Sequence, residues 1–114
     1  MKPLNLDRFV ESTFRNAWIQ EKNIRIYIRR SQRFIDDKAI LCLDIGSVEV
    51  DENKWGRGIF TKFLNRFEAA AKKLKRAVFI ECVLNERLLA HLKNKRGYRI
   101  KSENEPTSVY KLSS

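Results

Sequence analysis

Along the first part of the chain, Leu6, Phe9, Val10, Thr13, Phe14, Ala17 and Trp18 recur at helical spacing, which predicts an amphipathic helix from Leu6 to Trp18. Asn5 or Asp7 is placed to cap its first turn by accepting backbone N–H bonds. From Asn23 the period changes to two: Ile24, Ile26 and Ile28 alternate with Arg25, Tyr27 and Arg29, as on a strand with one buried face. A turn at Asp36-Asp37-Lys38 follows a short strand around Phe34. Ala39-Ile40-Leu41-Cys42-Leu43 is apolar at both parities, the pattern of a central strand covered on each side. It resumes after Gly46 with Val48 and Val50, and a glycine inside a strand marks a bulge or a close backbone approach.

Phe60, Phe63, Leu64, Phe67, Ala70, Ala71 and Leu74 then form one stripe, with Lys62, Arg66, Lys72, Lys73 and Lys75 facing away, the clearest helix in the chain. Ala77 to Val83 reads as a second central strand. Asn85 is a natural cap for a short helix carrying Leu88, Leu89 and Leu92, which Gly97 ends. Tyr98-Arg99-Ile100 and Val109 to Leu112 read as two last strands joined by a polar loop around Pro106. Helix, strands, helix, strand, helix, strand, strand predicts an α+β fold, with helices packed on the faces of a mixed sheet (an α/β three-layer arrangement). At 114 residues, residues 1–114 are expected to form a single domain.

Composition narrows this picture only where charge enters. The chain carries a formal net charge of +10, with 24 Lys+Arg against 14 Asp+Glu. That predicts attraction to anions such as nucleic acid, acidic proteins or a polyphosphate cofactor. No apolar run approaches the roughly 20 residues of a membrane span, so no membrane association and a cytoplasmic location are expected. Cys42 and Cys82 sit inside apolar runs and are expected to be buried, reduced thiols; two isolated cysteines build no zinc site, and no metal is expected.

Gly56 and Gly58 lie between a strand and a strong helix, where exposed N–H groups and the helix dipole suit phosphate oxygens. No third spaced glycine and no Gly-Lys-Ser/Thr ending follow, which removes dinucleotide and P-loop readings. The stretch from Val48 to Leu64, with Trp55-Gly56-Arg57-Gly58-Ile59 at the helix start, resembles the cofactor motif of the GNAT N-acetyltransferases. The run Ile80-Glu81-Cys82-Val83-Leu84-Asn85, followed by a helix and Gly97-Tyr98, resembles the second landmark of that family.

The resemblance implies acetyl-CoA wedged between the strand ending at Val50 and the strand running to Val83. Backbone groups of Val48 and Val50 would pair with the pantetheine amides. The N–H groups of Trp55, Gly56, Arg57, Gly58, Ile59, Phe60 and Thr61 would hold the pyrophosphate, and Asn85 would contact the pantetheine arm or cap its helix. Trp55 and Phe60 depart from the residues usual at the two ends of the motif, and Phe60 suits the core stripe of the helix.

The implied reaction is direct acetyl transfer to a primary amine, either a protein lysine or N-terminus or a small amine. Asp44 and Glu81 are the candidate bases, since each interrupts an apolar strand; pairing with a nearby arginine is the competing explanation for both. The family's usual acid, a tyrosine in the last helix, is missing, because Lys93 or Leu92 stands at its place. His91 lies nearby as a substitute proton donor. The competing function is a catalytically weak binding module, whose basic surface, with Arg25, Tyr27, Arg29, Arg30 and Arg33 on one strand region, holds nucleic acid or a partner protein. A homodimer through the first helix or an edge strand is a third expectation.

Overall fold

A computed structural model of the chain describes residues 4–50, 58–81, 86–102 and 108–112. Nine elements follow in order: α1 (Leu6–Glu11), β1 (Asn16–Glu21), β2 (Ile24–Ile35), β3 (Lys38–Val50), α2 (Ile59–Lys73), β4 (Ala77–Ile80), α3 (Glu86–Lys95), β5 (Arg99–Ser102) and β6 (Ser108–Lys111). The strands form one sheet in the order β1-β2-β3-β4-β6-β5. Every neighbouring pair is antiparallel except β3 and β4, which run parallel with α2 as their crossover. The structure is mixed α+β, as the alternation of periods predicts.

The first helix is shorter than its apolar stripe. Asn5 Oδ1 accepts from the Arg8 N–H at 2.9 Å and caps α1, but Ser12 ends it, its hydroxyl donating to the Phe9 carbonyl at 2.7 Å. The Arg30 guanidinium then donates to the carbonyls of Phe9, Val10, Ser12 and Phe14, which continued helix would have used internally. Residues 16–21 instead pair in register with β2, Trp18 opposite Tyr27 and Ile19 opposite Ile26. A six-residue antiparallel ladder outweighs the local helical pattern, so Phe14 and Trp18 stay outside the core while Ile19 is buried.

The β2–β3 turn is a two-residue loop, Ile35 facing Lys38, with Asp36 and Asp37 at φ 52° and 63°. Positive φ at both positions is the backbone whose twist matches a hairpin. Further along β3, Tyr27 pairs with Ser47 and Ile28 with Ile45, leaving Gly46 as the extra residue of a bulge. A Cβ there would lie 3.2 Å from the Tyr27 ring and 3.4 Å from the Arg29 guanidinium, so a side chain at the bulge would have to displace those two groups by a few tenths of an ångström.

The main core gathers Leu6 and Phe9 of α1, Phe60, Phe63, Leu64 and Phe67 of α2 and Leu92 of α3 against Ile26, Ile28, Leu43, Ile45, Val78, Ile80 and Val109 of the sheet. A smaller cluster on the opposite face, Ile35, Cys42, Ala77, Phe79 and Tyr110, is built from strand residues alone. Its cover includes Arg33, whose guanidinium lies 3.8 Å from the centre of the Phe79 ring. The beginning of β3 departs from the expected central strand. Pairing with β4 starts only at Cys42, so Ala39 and Leu41 are exposed on the helix-bearing side. Cys42 itself is buried as expected, and burial, followed by the charge of Asp44, pushes its thiol up to about 11. Cys82 lies outside the described residues.

Candidate active site

Parallel pairing of β3 with β4 runs from Cys42/Ala77 to Ile45/Ile80, with one further bond from the Glu81 N–H to the Ile45 carbonyl at 2.9 Å. Beyond Ile45 the bulge turns β3 toward β2. Through Val48 and Val50 it pairs on that side alone among the described residues. The described ladder between the two strands thus ends at Ile45 and Glu81.

Because β3 and β4 are parallel, α2 runs back between them and begins at this same end of the sheet. Its N-cap is Gly58 at φ 72°, with no side-chain cap bond and no acidic residue in the first turn. The first internal bond is from the Lys62 N–H to the Gly58 carbonyl at 3.0 Å, so the N–H groups of Ile59, Phe60 and Thr61 precede the first helical acceptor. An added Cβ on Gly58 would meet nothing within 4 Å; the glycine is needed for its left-handed backbone and not for packing. Phe60 sends its ring into the core, as its place on the helical stripe predicts. Trp55, Gly56, Arg57 and Asn85 lie outside the described residues.

The two carboxylates come together on the face opposite the helices. Asp44 is fully buried. One oxygen accepts from the Ser31 hydroxyl at 2.8 Å, and the other from Arg33 Nε and Nη2 at 3.1 and 2.6 Å, with Arg29 Nη2 at 3.5 Å. Glu81 also pairs with Arg29, and its Oε2 lies 3.9 Å from Arg33. Burial pulls the Arg29 guanidinium down, but Glu81 and then Asp44 outweigh it and hold it above the usual arginine value. Asp44 and Glu81 are therefore bound to the same two arginines, the pairing that a buried charge requires. They differ in access, since the Glu81 side chain keeps about a third of its surface and that of Asp44 none.

Arg29 and Arg33 were readable only as part of a basic strand; their spacing of four puts them on one face of β2, the signal that they act as a pair. Arg30 points the other way, into α1, so the five residues from Arg25 to Arg33 do not form one track. Arg25 pairs with Glu49 and stacks over Trp18 at 4.0 Å. His91 is half-buried on α3, with its Nε2 enclosed and lacking a hydrogen-bond partner. No hydrogen bond ties it to Asp44 or Glu81 among the described residues.

No family model and no curated protein matches the chain. Solved structures do. An AtaT toxin mutant bound to the C-terminus of the antitoxin AtaR and acetyl-CoA matches at TM-score 0.63 and 15% identity, over 79% of this chain and 60% of that one. The KacTA–DNA complex matches at TM-score 0.61 and 14% identity, over 84% and 64%. A histone acetyltransferase HPA2 and related acetyltransferase from Corynebacterium glutamicum matches at TM-score 0.60 and 14% identity, over 95% and 71%. The chain has the fold of these GNAT acetyltransferases, and it spans about three fifths of the length of the AtaT toxin chain.

Proposed function

We propose that the chain is an acetyl-CoA-dependent N-acetyltransferase acting on a primary amine. The observation that carries this reading is the start of α2 without a side-chain cap, at the end of the sheet where the described β3–β4 ladder ends. That end offers strand backbone at Val48 and Val50, which among the described residues pairs only with β2, to amide groups and a helix N-terminus to phosphate oxygens. Acetyl-CoA carries both groups, and it is present in the similar AtaT complex. Gly58, Ile59, Phe60 and Thr61 would hold its pyrophosphate, and the backbone of Val48 and Val50 its pantetheine arm. When bound, it supplies an activated acetyl thioester.

The acceptor amine must arrive neutral. Glu81 is assigned as the base that takes its proton, directly or through a water, because it stands at the end of the β3–β4 ladder and keeps exposed surface. Asp44 is assigned a supporting part: it holds Arg33 and Arg29, and Arg29 in turn positions Glu81. His91 is assigned as proton donor to the departing thiolate, its enclosed and unpartnered Nε2 being a polar atom without a use in the fold. The positive surface favours an amine carried on an acidic or nucleic-acid-associated partner over a polycation. The pairing of both carboxylates with arginine supports the second reading, a GNAT-fold binding module with weak chemistry.

Calorimetry and thermal shift with acetyl-CoA test the first reading. Micromolar or tighter binding is expected, with stabilisation of about 2.7 kcal/mol at a hundredfold excess over Kd. Absence of any shift at saturating cofactor removes the site.

A further inference from the structure

A groove of about 530 Å³ opens beside the first residues of β3, lined by Arg15, Arg30 and Arg76 with Thr13, Ser31 and Leu41. It lies on the helix-bearing face, where Arg30 reaches the α1 carbonyls. Asp44 and Glu81 lie on the opposite face. Leu41 is also seven residues before Val48 along β3, roughly 20 Å at strand rise, so the groove is at the other end of the sheet from Val48 and Val50.

The charges in this groove are uncompensated. Arg25, Arg29, Arg33, Arg66 and Arg96 each have a carboxylate partner, whereas Arg15, Arg30 and Arg76 have none among the described residues. Arg30 gives its N–H groups to carbonyls at the end of α1, and Arg76 donates to the carbonyls of Ser31 and Cys42 at 3.4 and 3.1 Å. Carbonyls satisfy the donors but leave the net charges standing. Burial, and then the charge of Arg76, pull Arg30 below the usual arginine value; an anion seated between the guanidinium groups would relieve that repulsion.

Two exposed phenylalanines neighbour residues that line the groove, Phe34 two positions after Gln32 on β2 and Phe14 between Thr13 and Arg15 in the chain. Arg30, Gln32 and Phe34 alternate on one face of β2, with Gln32 opposite Leu41 on β3. Phe34 is 69% exposed and Leu41 51%, while Phe14, whose carbonyl Arg30 holds, is 55% exposed. Such exposure of large apolar side chains around unpaired cations fits a ligand that presents phosphates and flat rings together. An acidic peptide offers only the charge, and a duplex hides its ring faces.

We propose that this groove binds single-stranded nucleic acid, with phosphates on Arg15, Arg30 and Arg76 and bases stacked on Phe34 and Phe14. The site goes beyond the acetyl-transfer reading and shares with it only Ser31, whose hydroxyl donates to Asp44.

Fluorescence anisotropy of the full chain with a labelled single-stranded RNA and DNA of about 15 nucleotides tests it across a salt series. Affinity is expected to fall with salt. Arg15→Glu should weaken binding at least tenfold and flatten the salt slope. Phe34→Ala should weaken it about five- to hundredfold at the same slope. Both side chains are exposed, and circular dichroism and melting confirm that the variants fold; Arg15→Gln replaces Arg15→Glu should the latter unfold. In each variant the thermal shift with acetyl-CoA is expected to match the parent, so failure of cofactor binding and failure of this site are read separately. Equal affinity for polyglutamate or for a duplex of the same charge would overturn the assignment, as would no binding at low salt or binding unchanged in both variants.

Discussion

At the scale of single residues, the two carboxylates of the opposite face differ in what each can lose. Asp44 has both oxygens occupied and no exposed surface. Asp44→Asn leaves Arg29 and Arg33 with Glu81 as their one carboxylate and puts an amide among buried donors, and a loss of about 1–3 kcal/mol is expected. Urea unfolding measures it. Glu81 is partly open, and Arg29 keeps Asp44 when Glu81 is neutralised. Glu81→Gln should therefore cost less stability but lower kcat/KM on a proven amine acceptor by about 10²–10⁴, with the Kd for acetyl-CoA little changed. Full turnover in Glu81→Gln would remove the base assignment, and unchanged stability in Asp44→Asn would remove the supporting one.

At the scale of elements, the ends of helices and strands show what the chain pattern can and cannot reveal. The end of α2 is a paired closure: the Arg76 N–H returns to the Ala71 carbonyl at 2.8 Å and the Lys75 N–H to Lys72 at 3.1 Å, with Lys75 at φ 58°. Glycine is the usual residue at this place. Lys75→Gly is expected to raise stability by about 0.5–1 kcal/mol, read as a higher urea midpoint at unchanged slope; a lower midpoint would contradict the account. Helix α2, the Asp36-Asp37 turn and the Gly46 bulge were legible because each rests on local chemistry: a stripe, a turn pair, a residue without Cβ. The end of α1 was not, because Arg30, fifteen or more residues away, takes its carbonyls and β2 recruits residues 16–21. The same holds for the candidate site. Its helix start was readable in the glycines near Gly58, whereas the joint hold of Arg29 and Arg33 on Asp44 and Glu81 arises only when three strands align.

For the whole molecule, a net charge of +10 makes low pH the weak side of the stability profile. As carboxylates protonate, the charge climbs toward the full count of 24 Lys+Arg, and self-repulsion grows. Glu21 adds a specific term, because it joins three elements: it accepts from the Leu6 N–H of α1 at 3.1 Å, sits on β1, and pairs with Arg66 of α2. Burial pushes its carboxyl up, but the Arg66 hydrogen bond, the Leu6 N–H and the Arg66 charge outweigh burial and leave it below the usual glutamate value. A carboxyl with a depressed folded value stabilises the fold above its unfolded value, and that stability is lost as pH falls through the folded one. The unfolding free energy should therefore decline from about pH 4.5 downward. Glu21→Gln should cost about 1–2 kcal/mol near neutrality and narrow its gap to the parent as pH falls, because the parent then loses the same charge. Added salt should recover part of the decline in both proteins by screening surface repulsion. A gap between Glu21→Gln and parent that stays constant from pH 7 to about pH 3 would show that Glu21 ties the three elements together by shape and hydrogen bonding and not by its charge.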